Sequence, residues 1–136
     1  MAAKPTRPVT AKTTRQTTPE DEGTNEAMQE FVNPLADLGD KLTKLTTEIG
    51  MKAMGNADEV GAAAVDYLRV CGHLVFAYFW ARMAKVALAK KDSGDPFYTA
   101  KLATARFYMQ RLLPDTASLH ARIIAGAAPV MPSVML

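Results

Sequence analysis

Cysteine is nearly missing from this 136-residue chain: Cys71 stands alone, so no intrachain disulfide can form and a disulfide-stapled secreted scaffold is excluded. A reducing cytoplasm is the expected setting. Excess charge is missing as well, because sixteen Lys and Arg against fourteen Asp and Glu leave a formal net charge of only +2. With no basic stripe to displace counterions from phosphates, nucleic acid is not expected as a partner. The longest charge-free apolar run, Val70 to Ala81, falls short of the roughly 20 residues of a bilayer-spanning helix and is bracketed by Arg69 and Arg82, which predicts no membrane span. No hydrophobic block follows the basic N-terminal residues, so no secretory leader is expected. Sustained alternation of apolar and polar residues is absent, as is any repeat of solenoid period.

Amphipathic helices remain. Residues 1–25 carry seven threonines and three prolines with almost no large apolar side chain, a composition that predicts a disordered tail. Its charges are segregated, Lys4, Arg7, Lys12 and Arg15 preceding Glu20, Asp21 and Glu22, and nearly cancel. Beyond it, Leu35, Leu38, Leu42, Leu45 and Ile49 recur at steps of three and four, placing one apolar stripe on a helix that Asn33 would cap and Pro34 would open. Gly55 supplies a left-handed stop, and Asn56 with Glu59 forms a capping-box pattern that starts a second helix from about Ala57 to Lys90. At about 1.5 Å per residue that helix is about 50 Å long, the spine of the molecule. Its middle is apolar nearly all round, so it requires burial on more than one side.

A polar loop from Asp92 to Asp95 ends the spine, and Asp95 then caps a third helix opened by Pro96. Ala100, Ala103, Thr104, Phe107, Met109, Leu112 and Leu113 give that helix its apolar side. Pro114 kinks or ends it, a fourth runs from Asp115 or Thr116 to the stop at Gly126, and residues 129–136 form an irregular end. The predicted fold is all-α: an up-and-down antiparallel bundle of about four helices over residues 26–128, behind the disordered tail.

Within this pattern the stretches AAAVDYLRVCGHLVFAYFWARMAKVAL, Ala62 to Leu88, and DPFYTAKLATARFYMQRLLP, Asp95 to Pro114, resemble the C-terminal helical module that closes certain bacterial acyl-CoA dehydrogenases. The resemblance spans roughly residues 26–128 and implies a helical module of a flavoprotein. In that family the upstream domains hold the flavin and the acyl chain and supply the catalytic carboxylate. It therefore implies a non-catalytic chain with FAD expected only in a full-length relative or partner. The partners it implies are an acyl-CoA dehydrogenase body or a second copy of the chain.

The residues point the same way. Glu48 and Glu59 are the carboxylates nearest the core, yet both fit surface or capping positions. Gly61 and Gly72 lie within helix, and Gly23, Gly50 and Gly55 are isolated, so no phosphate-cradling loop is present. Cys71 and His73 are two apart on a helix, pointing about 200° away from each other, so they do not share a metal ion; His120 is the only other histidine. Tyr67, Tyr78, Trp80, Arg82, Tyr98, Lys101 and Arg106 punctuate the second and third helices. Either they finish the core with polar ends at its rim or they form a docking face, where Trp, Tyr and Arg dominate interface energy. The alternative to the dehydrogenase module is a free-standing helical adaptor whose apolar stripes bind a partner helix or a hydrophobic surface.

Overall fold

The computed structural model describes residues 19–130. Every regular element among them is helical: α1 spans Pro19–Gly55, α2 Asp58–Lys90, α3 Pro96–Phe107 and α4 Asp115–Ile124. Between α3 and α4 lies a π turn, Tyr108–Leu112, and Lys91–Ser93 form one 3-10 turn. The expected disorder of residues 1–18 and the expected irregular end past residue 130 lie outside the described residues.

Three rods result, not four. Pro114 keeps helical dihedrals, φ −59° and ψ −19°, so the chain runs through it without breaking. What changes is the hydrogen bonding, because the proline ring lacks an N–H and crowds the carbonyl four residues back. The turn ahead of it widens: Leu113 N–H donates to the Tyr108 carbonyl at 2.9 Å, and the Thr116 hydroxyl donates to the Leu113 carbonyl at 2.7 Å. The expected fourth helix is thus the second half of the third rod. α1, α2 and the α3–α4 rod form an up-down-up antiparallel bundle with α2 packed against both others.

The first helix starts at Pro19, so Pro34 sits inside it and Asn33 is no cap. Pro19 takes the opening position, where a missing N–H costs nothing. The leucine stripe extends backward through Phe31 and Met28, both buried, Phe31 completely. Burying those two side chains offsets the roughly 3 kcal/mol that an interior proline costs. Residues 19–25, read from composition as tail, are the opening turns of this helix.

The turn between α1 and α2 also departs from expectation. Among the described residues only Gly94, at φ +86°, and Gly126, at φ +76°, adopt positive φ, so Gly55 ends α1 in ordinary helical geometry. Asn56 Oδ1 accepts from the Asp58 N–H at 3.1 Å, which closes a local turn in place of a capping box. The Glu59 carboxylate instead reaches Gly126, where an added Cβ would lie 3.1 Å from its Oε2. At the other end of α2 the reading holds: Asp95 Oδ1 accepts from the Phe97 N–H at 2.9 Å with Pro96 in the first turn.

The third rod buries Leu102, Ala105, Tyr108, Met109 and Leu113, then Leu119 and Ile123. Of its expected apolar side, Ala100, Ala103, Thr104, Phe107 and Leu112 face solvent. The covered row, Leu102, Ala105, Met109 and Leu113 with Tyr108 beside it, places four large side chains in the core, against two, Phe107 and Leu112, on the other side. Toward this core α2 contributes mainly small residues, Ala63, Ala77, Ala81, Ala84 and Ala87, with Val70. Phe31→Ala removes a completely buried ring that lies beneath the Arg106 guanidinium of α3; it should lower the unfolding free energy by about 3–5 kcal/mol in urea titration followed by circular dichroism.

Candidate functional site

Alanines on one side of α2 leave its large residues on the other. Val65, Leu68, Gly72, Val75, Phe79, Met83 and Val86 follow each other by three or four residues, and at about 100° per residue they fall on one strip opposite the alanine row. Leu68 is 72% exposed, Phe79 50% and the neighbouring Phe76 59%. Single exposed hydrophobics are ordinary, whereas a continuous strip of this length marks a surface made to be covered. An apolar groove of about 550 Å³ between α1 and α2, lined by Ile49, Val60, Tyr67, Leu68 and Cys71, extends it sideways.

Gly72 sits mid-strip and mid-helix, where glycine is about 1 kcal/mol less favourable than alanine. A Cβ built there meets nothing within 4 Å, so packing inside the chain does not call for a glycine.

Along one flank, α2 meets the third rod through an aromatic cluster centred on Tyr108. Trp80 stacks on its ring at 6.2 Å between centroids and Phe76 meets it edge-on at 6.4 Å. The phenol hydroxyl donates to the His73 carbonyl at 3.2 Å and lies 3.0 Å from His73 Nδ1. Burial pushes the Tyr108 phenol from its usual 10.0 up to about 12, since the charged phenolate would lose its water.

The seven residues singled out from sequence divide between two roles. Tyr67, Trp80 and Tyr98 pack against the core, with the Tyr67 hydroxyl 2.7 Å from that of Thr46. Arg106 binds Glu30 of α1 through Nε at 2.9 Å and a second nitrogen at 2.8 Å, and these hydrogen bonds hold its guanidinium above its usual range against a smaller opposing effect of burial. Lys101 lies over both the Trp80 and Phe97 rings at 5.7 and 5.5 Å. Only Tyr78 and Arg82 stand on open surface beside the apolar strip, where the guanidinium covers the phenol ring at 5.7 Å. Asp66 takes a two-pronged ion pair from Arg122 of α4 at 2.9 and 3.1 Å. His73 turns to Tyr108. Glu48 pairs with Lys52 along α1 at 2.9 Å.

Three features escape sequence reasoning: the Tyr108 hub, the two cross-rod ion pairs and the solvent exposure of the strip. The heptad spacing of the strip was readable; which of two apolar faces turns outward was not. By length and composition one helical stretch, Asp58–Ser93, is long and apolar enough to cross a membrane, although Asp66, Arg69, Arg82 and Lys85 interrupt it.

A family model described as "Acetyl-CoA dehydrogenase C-terminal like" matches residues 9–133, reaching beyond residues 26–128 at both ends. No curated protein matches the chain.

A pH prediction follows from Tyr108. The folded chain keeps this phenol protonated where the unfolded chain has released the proton, so its stabilising contribution is complete below pH 10.0 and is lost as pH rises toward about 12. Tyrosinate absorbance should show one of the four tyrosines ionising late, and Tyr108→Phe should remove that late step while costing about 1 kcal/mol of stability.

Proposed function

The chain belongs to the acetyl-CoA dehydrogenase C-terminal-like family, and on that premise we propose that it is a non-catalytic association module of an acyl-CoA dehydrogenase-like flavoprotein assembly. The observation that carries the reading is the bare strip on α2. A helix that spends its alanines on its own bundle and turns Leu68, Val75, Phe76 and Phe79 to water is built to meet further helices. Aromatic and arginine residues at the margin, Tyr78 and Arg82, are the types that anchor such contacts.

Dehydrogenation of an acyl thioester needs a base beside the thioester and a flavin in one dry site. In this reading both belong to the dehydrogenase body, and the module contributes apolar area and orientation. The assembly would work in fatty-acid metabolism in the cytoplasm.

The test is biochemical. Purified chain should show no flavin absorbance after incubation with FAD and no turnover of acyl-CoA with an electron acceptor, yet should co-purify with an acyl-CoA dehydrogenase body from the same source. Flavin binding with acyl-CoA turnover by the chain alone would sink the reading.

A further inference from the structure

We propose that the occupant of the α2 strip is α2 of a second copy of this chain, lying antiparallel across a two-fold axis between Gly72 and Val75. The inference rests on the association-module reading and names the partner. Three observations favour this occupant over a lipid surface or an unrelated helix.

The first is fit. Reversing the strip about that axis sets Gly72 against Val75 of the second copy, Leu68 against Phe79, and Gly61 against Val86. Small meets large at the centre and near both ends, and the steps of three and four are those of a helix–helix seam. Val65 meets Arg82, whose aliphatic stem covers it while the guanidinium stays at the rim. Gly72 is the smallest position at the middle of the strip, which lets the second α2 cross closest there.

The second is charge. In the same register Asp58 at one end of the strip falls opposite Ala89 of the second copy, one residue from Lys90, and the two-fold repeats the pair. Neither Asp58 nor Lys90 has an ion-pair partner among the described residues. A parallel arrangement would instead set Asp58 against Asp58 and Lys90 against Lys90.

The third is extent. From Gly61 to Val86 the strip is roughly 37 Å long. With the width of one helix it offers, over both copies, an area on the order of the 1,200 Å² at which stable interfaces begin. A bilayer would take the same apolar surface without any use for a glycine at its centre.

Sedimentation equilibrium on the full chain should give a dimer dissociating at micromolar concentration or below. Phe79→Glu should weaken it by roughly a hundredfold and Gly72→Gln by at least roughly tenfold, each with helical circular dichroism unchanged because both positions are open in the single chain. Orientation is read in a Cys71→Ser background. Leu68→Cys mixed with Phe79→Cys should form a disulfide between copies under mild oxidation, and neither alone should. A chain that stays monomeric, a Leu68→Cys homodimer disulfide, or capture of the monomer by phosphatidylcholine vesicles would overturn the proposal. A monomer that still co-purifies with the dehydrogenase body removes the dimer and leaves the module reading standing. A dimer that ignores that body upholds the pairing and removes the module reading.

Discussion

The alanine row of α2 sets how closely the three rods approach and, with that, where each large side chain goes. Ala63, Ala77, Ala81, Ala84 and Ala87 let α1 and the third rod press in on one side of the helix. The bulky partners in that core are Phe31, Leu38 and Leu45 from α1, and Leu102, Met109, Leu119 and Ile123 from the third rod. With that side of α2 taken up by the core, Val65, Leu68, Val75, Phe76, Phe79 and Val86 are left facing outward. The exposed strip follows from the geometry of the core.

Cross-rod polar contacts fix register on top of this packing. Glu30–Arg106 ties α1 to the third rod near one end, and Asp66–Arg122 ties α2 to it near the other. Such surface pairs contribute little stability, typically below about 1 kcal/mol, but a one-residue slide of the third rod would break both. Between them Tyr108 takes hydrogen bonds at the π turn that Pro114 imposes, so the one irregularity in the rod sits where a buried polar group is satisfied.

Much of the architecture could be read from the chain. The stripe from Leu35 to Ile49, the extent of α2 and the Asp95–Pro96 start are local patterns, set by periodicity and capping within a few residues. The misreadings share one cause: a local signal overridden by burial elsewhere. Pro34 reads as a helix start until Phe31 and Met28 are seen packed before it, and Pro114 reads as a stop until the π turn absorbs it. Ala100 and Ala103 are as apolar as Ala105, and only the facing rod decides which of them is covered. Of the candidate surface, the composition was legible and the direction was not. An all-round apolar helix does not announce which of its sides its own bundle will claim.

The two-residue link Asn56–Ala57 and the short turn before Pro96 join neighbours in sequence that are also neighbours in space. Contacts so local incur little loop-closure entropy, which places a chain of this kind among the fast folders. The outward strip lies on α2 alone, so it exists wherever that helix has formed, with or without the third rod in place. Whatever covers it therefore competes with aggregation whenever α2 stands uncovered, before the bundle closes as well as after.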